Sequence, residues 1–141
     1  MNEQQRKIYS GIGIAIGIIG FYIVKSFLFQ APSIDKQNMM IASEINKSCP
    51  IMVDSETRLD NLIALPENIL AYNYTLINLV KDSLNPLEIE KAVKPMMAKT
   101  IKTHPDMEYQ RKNKTTLSYN YRDMNGEHVL QFSIGPKDYE E

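Results

Sequence analysis

The stretch LSYNYRDMNGEHVLQFSI, residues Leu117–Ile134, decides the fold class of this chain. Apolar and polar residues alternate on both sides of Asn125-Gly126, which is the pair preferred at the centre of a type I′ β-turn. Alternation of this kind is typical of a sheet that has one face on a core and the other face mostly in water. With Asn125-Gly126 at the turn centre, the predicted cross-strand pairs are Tyr121–Leu130, Tyr119–Phe132 and Leu117–Ile134.

A second hairpin is predicted upstream, from strands at residues 58–65 and 69–80. Turn-forming residues at 66–68 separate the two strands and predict a two-residue turn at Glu67-Asn68. The resulting register gives one strand face that is apolar throughout, which favours it over a one-residue slip. This register places Leu59, Ile63 and Leu65 on the core face, opposite Leu76, Tyr72 and Leu70.

Two amphipathic helices complete this part of the chain. Ser33 is a candidate N-cap for the first helix, at about residues 34–47. Asn85-Pro86 starts the second helix with a cap followed by a proline in the first turn. Pro95 lies inside the second helix and is expected to kink or split it, because proline lacks the backbone donor.

A short repeat links the two hairpins. Leu70–Tyr74 and Leu117–Tyr121 both follow the pattern L-x-Y-N-Y. They fall on the second and third predicted strands, so the sequence does not indicate a duplicated helix–hairpin unit in register.

The most apolar part of the chain lies near its N-terminus, where the 17 residues Ile8–Val24 carry no charge. As one helix, residues 8–29 reach about 33 Å, enough for a hydrocarbon core of about 30 Å. A cleaved signal peptide and a buried core helix are the alternatives, but the residues before Pro32 fit a cleavage site poorly. The sequence therefore predicts a transmembrane signal anchor in the inner or plasma membrane. Arg6 and Lys7 favour a cytoplasmic N-terminus and an extracytoplasmic C-terminal domain.

Small residues share one side of this predicted span. Ser10, Gly13, Gly17 and Gly20 fall within one arc of a helix, and Gly13-x-x-x-Gly17 is a small-xxx-small pair. Such pairs allow helices to approach closely, although glycine is common in membrane helices in any case. We expect these residues to support association of the span, including a homodimer.

These elements together predict an α+β chain with an N-terminal transmembrane helix and a two-layer domain. The domain is expected to run helix–hairpin–helix–hairpin, with a four-stranded, mainly antiparallel sheet that carries two helices on one face. The expected divisions are a cytoplasmic N-terminus at 1–7, the span at 8–29, a linker at 30–33, the α+β domain at 34–136 and a loose charged tail at 137–141.

Composition excludes several functional classes. The 141 residues carry a formal net charge of −1, without the positive excess of a nucleic-acid-binding protein. One cysteine and two histidines exclude a disulfide framework and offer little for a metal site. Cys49 and His104 could act as nucleophile and base, but nothing in the sequence places them together. We therefore expect no enzyme, no cofactor and no nucleic-acid partner.

Three polar residues of the first hairpin are the candidate partner-binding residues: Asp54, Arg58 and Asp60. Arg58 and Asp60 are predicted on the non-core face of a strand. Arginine beside carboxylates can recognise the charge of a partner or bind a polar ligand. The alternative is a surface pair that only keeps the sheet soluble.

Several short motifs recur together in one group of proteins: Cys49-Pro50, Asp54-x-x-Thr57-Arg58-Leu59-Asp60, Leu65-Pro66 and Tyr72-x-Tyr74. In these motifs the chain resembles a family of small, mostly uncharacterised bacterial α+β proteins that are membrane-anchored or exported. The resemblance implies this architecture in a bacterial membrane setting. It implies no activity and no site residue.

The leading functional interpretation is a membrane-tethered interaction or adaptor domain that contacts another cell-envelope protein, because a tether raises the effective concentration near such partners. The alternative is a small-ligand-binding or sensory domain with a pocket between the helices and the sheet. Its walls would come from Tyr72, Tyr74, Tyr119, Met96 or Met97, which would otherwise be ordinary core residues.

Overall fold

Five strands form one mixed sheet in the order β1-β2-β3-β4-β5. The structure is a computed structural model that describes residues 32–140. Neighbouring strands pair antiparallel, except β3 and β4, which run parallel. The strands are β1 Ile51–Met52, β2 Thr57–Leu65, β3 Ile69–Leu76, β4 Thr116–Arg122 and β5 His128–Ile134.

Within residues 32–140, four α-helices lie before, between and after the strands: α1 Ile34–Asn46, α2 Pro86–Thr103, α3 Glu108–Lys112 and α4 Pro136–Tyr139. Short 3₁₀ turns at Lys81–Ser83 and Pro105–Met107 flank α2. Within the described part of the chain, α1 contacts β2 and β3, and α2 contacts β5. The buried residues of the helices and of one sheet face form a single apolar core.

Both predicted helix starts are confirmed. The Lys36 amide donates to Ser33 Oγ at 3.3 Å, and the Glu88 amide donates to Asn85 Oδ1 at 3.4 Å. The expected split at Pro95 is wrong, since α2 continues through it. Pro95 and the residue one turn earlier, Lys91, are both exposed, so water can reach the carbonyl that proline leaves without a donor.

The predicted architecture of a four-stranded, mainly antiparallel sheet with two helices is wrong in three respects. β1 adds a fifth strand, the central β3–β4 pair is parallel, and α3 and α4 are additional helices. β1 has two residues, too few to show a sequence pattern. A parallel pair needs a long crossover connection, and residues 77–115, which contain α2 and α3, provide it.

The register of the first hairpin also differs from the prediction. Leu65 pairs with Ile69 across a three-residue loop, and a bulge at Asp60 interrupts the strand. Leu59 and Leu62 therefore both face the core, whereas Ile63 is 46 % exposed on the other side. The turn itself lies where predicted, with positive φ at 67 and 68, but alternation alone could not reveal an extra residue in the strand.

The last hairpin has the predicted register, with Tyr121 opposite Leu130. Its turn differs, because the Gly126 amide donates to the Asp123 carbonyl at 3.0 Å and Gly126 has φ +83°. The turn therefore centres one residue earlier than expected. The strand register shifts by one residue between Tyr121 and Arg122. This shift compensates for the displaced turn, so the three predicted pairs still form.

The C-terminal residues are ordered, so the expected loose tail at 137–141 is wrong as far as residue 140. Tyr139 is only 2 % exposed, and its hydroxyl donates to the Thr115 carbonyl at 2.9 Å. The Gly135 amide donates to the Asp138 carboxylate at 2.8 Å at the start of α4. One buried tyrosine thus anchors a segment whose charged residues had indicated exposure to solvent.

No helix between residues 32 and 140 is long and apolar enough to cross a membrane, so the expected single-pass membrane location has no support in the described part of the chain. The predicted span at 8–29 lies outside the described residues. The same holds for the predicted association residues Ser10, Gly13, Gly17 and Gly20.

Candidate functional site

The L-x-Y-N-Y repeat pairs with itself across the parallel β3–β4 strands. Tyr72 lies beside Tyr119 and Tyr74 beside Tyr121, so equal residues of the two copies are neighbours. The ring centroids of these two pairs are 5.3 and 5.1 Å apart, and the rings are stacked. We call these four residues the tyrosine stack. The repeat is thus the signature of the parallel pair, which the hairpin signals of the sequence did not predict.

The tyrosine stack forms the centre of the core face, and Phe132 of β5 continues it. None of its four hydroxyls has a hydrogen-bond partner among residues 32–140. Burial raises the pKa of Tyr121 to about 12 and raises the pKa values of Tyr72, Tyr74 and Tyr119 above the ordinary value. The stack is therefore neutral at physiological pH and has unused donors.

An apolar groove of about 470 Å³ lies over this face, between α2 and the β1–β2 loop. Its floor comes from the sheet, and Met96, at one side, is 63 % exposed. Ile101 is the one fully buried residue of α2, so the half of the helix nearer Pro86 leaves space above the sheet. The groove is lined by Val53, Asp54, Thr57, Tyr74, Leu76, Ile89, Val93, Met96, Met97, Tyr121 and Leu130.

Asp54, one of the predicted site residues, is the charged residue of this lining. Its Oδ1 accepts hydrogen bonds from the amides of Glu56 at 2.8 Å and Thr57 at 2.7 Å. These bonds, the one from Glu56 most strongly, hold the pKa of Asp54 below its ordinary value. A negative charge therefore lies on the β1–β2 loop side of an otherwise uncharged groove.

Arg58 and Asp60, the other two predicted site residues, lie away from the groove. Arg58 pairs with Thr75 on the sheet face that no described helix covers, which we call the open face. Arg58 Nε lies 2.7 Å from Asp60 Oδ1, and the Thr75 hydroxyl donates to Asp60 Oδ2. The structure thus separates Asp54 from the Arg58–Asp60 pair, whose role in partner binding stays a prediction.

The open face also carries three asparagines in a row across β2, β3 and β4, which we call the amide ladder. Asn120 Nδ2 donates to Asn73 Oδ1 at 3.0 Å, and Asn73 Nδ2 donates to Asn61 Oδ1 at 2.7 Å. Two of the three come from the repeat, so parallel pairing of the repeat would have indicated this row. The hairpin signals of the sequence did not predict it.

Metal and nucleophile chemistry have little geometric basis between residues 32 and 140. No group of three His, Cys, Asp or Glu side chains there could hold a metal ion. Burial raises the pKa of the Cys49 thiol, and His104 Nδ1 accepts from the Asp106 amide beside α2. The expectation that the chain is not an enzyme stays a prediction.

Three solved structures share the fold. EpsS, a pilotin of the Vibrio vulnificus type II secretion system, is 10 % identical with a TM-score of 0.59, over 77 % of this chain and 93 % of EpsS. AspS, the Vibrio cholerae type II secretion pilotin, is 8 % identical with a TM-score of 0.57, over 74 % and 91 %. PA3611 of Pseudomonas aeruginosa, a candidate secreted protein, is 9 % identical with a TM-score of 0.58, over 78 % and 99 %. Such low identities show the fold alone.

Sequence comparison gives a family but no characterised relative. No curated protein matches this sequence. A family model described as a domain of unknown function, DUF8479, matches residues 33–131, which is more than half of the chain. The chain therefore belongs to the DUF8479 family.

Proposed function

We propose that this domain is a protein-interaction module that holds an apolar segment of another cell-envelope protein in the groove. The observation that carries the proposal is the groove itself, in which the exposed side chains of Met96 and Val53 lie beside a floor of buried aromatic rings. Exposed apolar surface of this kind marks binding sites, because leaving it in water is unfavourable. Methionine adapts its shape to different apolar side chains.

The lining also limits the chemistry of the segment. Tyr74 and Tyr121 offer hydroxyl donors that a carbonyl or a hydroxyl group of a partner can accept. Asp54 favours a lysine or arginine at the matching end of the segment. The partner segment is therefore apolar with a basic residue near one end.

The fold comparison supports an envelope partner. Two of the proteins with this fold are pilotins of type II secretion systems, which belong to the cell envelope. This likeness favours a component of the envelope over a cytoplasmic partner, and it agrees with an interaction role.

The test uses two matched variants of the full chain, purified from the native cells with their bound proteins. Met96→Lys places a charge in the groove, and Met40→Lys places the same charge on α1, where Met40 is 62 % exposed. Neither side chain is buried, so both variants should keep their stability within about 0.5 kcal/mol. We expect Met96→Lys to lose an envelope protein that the wild type and Met40→Lys both retain. Equal retention by both variants would contradict the proposal.

A second candidate function is the binding of a small apolar ligand in the same groove. A volume of about 470 Å³ falls within the range of small-molecule sites. Native mass spectrometry of the protein purified from its own cells separates the two: a bound small molecule that is lost in Met96→Lys would favour this alternative.

A further inference from the structure

The amide ladder on the open face has unused hydrogen-bonding capacity at both ends. Internal bonds use the oxygens of Asn61 and Asn73 and one hydrogen each of Asn73 and Asn120. The Asn61 nitrogen and the Asn120 oxygen have no partner among the described residues. Each ladder amide therefore still presents donors or acceptors to solvent.

A depression of about 360 Å³ lies over the ladder, and Arg122 of β4 forms part of its wall. Arg122 is exposed and has no ion-pair partner among residues 32–140. The carboxylate in the same wall, Asp60, is already occupied by Arg58 and Thr75. The depression therefore has one unpaired positive charge beside a row of amides.

We propose that this depression binds a saccharide that carries a carboxylate. The guanidinium of Arg122 matches a carboxylate with two parallel hydrogen bonds. The amides recur at the strand spacing of about 4.8 Å, which is comparable with the length of one sugar ring along an oligosaccharide, so successive rings can each reach an amide. Ile63, 46 % exposed at the same depression, offers an apolar contact for the C–H face of a sugar ring.

A saccharide fits this face better than a peptide does. The lining of the depression is mostly side-chain amides and charges: Asp60, Asn61, Ile63, Asn73, Tyr74, Asn120 and Arg122. Ile63 is the one aliphatic side chain of this lining, so the lining offers little for an apolar peptide side chain. A polyhydroxyl ligand can use the donors and acceptors that the ladder leaves unused, including the Asn61 nitrogen and the Asn120 oxygen.

The test is calorimetric titration of the full chain with trigalacturonic acid, an acidic oligosaccharide. Arg122→Gln removes the proposed carboxylate contact, and Lys112→Gln removes a surface charge on α3, away from the depression. We expect Arg122→Gln to weaken binding at least about tenfold and Lys112→Gln to leave it unchanged, because hydrogen bonds to charged groups are the stronger ones. Side-chain amide NMR signals of Asn61, Asn73 and Asn120 should shift on binding.

Two further probes separate the contributions. Maltotriose, which is neutral, should bind at least about tenfold more weakly than trigalacturonic acid. Triglutamate tests whether the carboxylate alone is enough, and binding as tight as that of trigalacturonic acid would overturn the assignment to a saccharide. The proposal is also overturned if trigalacturonic acid does not bind, if Arg122→Gln binds it equally well, or if the three asparagine signals do not move. Because the groove lies on the other face, Met96→Lys should not change this binding.

Discussion

Alanine substitutions at Leu62 and Ile63 should differ sharply in cost, because the bulge at Asp60 places Leu62 on the core face and Ile63 on the open face. Leu62 is 1 % exposed in the core, and Ile63 is 46 % exposed on the open face. Leu62→Ala removes three carbons, worth about 2.4 kcal/mol of transfer free energy, and leaves a cavity, so the total cost is about 3 kcal/mol. Ile63→Ala loses only the buried half of its side chain and should cost about 1 kcal/mol.

Urea unfolding followed by far-ultraviolet circular dichroism measures both costs. The midpoints should fall by amounts in a ratio of about three to one, with equal slopes for the wild type and both variants. Leu65→Ala is the matched control, because Leu65 also lies on the exposed side of β2. If Ile63→Ala costs as much as Leu62→Ala or more, the regular register without a bulge is correct and the packing described here is refuted.

Three other properties follow from the packing. Tyr139→Phe should lower the free energy of unfolding by about 1 kcal/mol, because the hydrogen bond to Thr115 is lost. Tyr139→Ala should lower it by about 3–5 kcal/mol. If the tail were loose, neither variant would change the thermal unfolding. The pKa values of the tyrosine stack are raised, so its contribution to stability is complete below pH 10 and is lost as the pH rises through the raised values. An ultraviolet titration should show that these tyrosines ionise only when the protein unfolds. Hydrogen bonds from backbone amides, first that of Lys81, hold the pKa of Asp123 below 3.8. Its contribution to stability is therefore present above pH 3.8 and is lost as the pH falls through the lowered pKa. Asp123→Asn should destabilise the protein at neutral pH and flatten the acid dependence of its urea unfolding.

Local signals in the sequence predicted local structure well. Ser33 and Asn85 cap the helices where expected, because a cap depends on a side chain and amides three residues away. The alternation around residues 117–134 gave the correct pairs even though the turn centres one residue earlier. A compensating shift near Arg122 was needed for that outcome, and no local pattern encodes it.

Long-range features were less accessible. The parallel pairing of β3 with β4 depends on a crossover of residues 77–115, and hairpin signals favour neighbours in sequence. The repeat was visible, but its meaning depends on which strands are adjacent. Tyr139 shows the same limit, since its burial depends on Thr115, 24 residues earlier.

The candidate site was predicted only in part. Asp54, Met96 and Met97 were singled out, and all three line the groove. The grouping of Asp54 with Arg58 and Asp60 was not realised, because β2 sends alternate side chains to opposite faces and the loop before it turns towards α2. A groove between a helix and a sheet is a property of packing distances, which a single sequence does not specify.

Site-specific photo-crosslinking in living cells shows whether the groove holds a segment of another protein. A benzoylphenylalanine residue replaces Met96 at the groove in one version of the full chain and the equally exposed Met40 on α1 in another. If the groove holds a partner segment, position 96 crosslinks to an apolar segment of one envelope protein, identified by mass spectrometry, and position 40 does not. No crosslink at position 96, or the same crosslinked protein at both positions, would contradict the proposal.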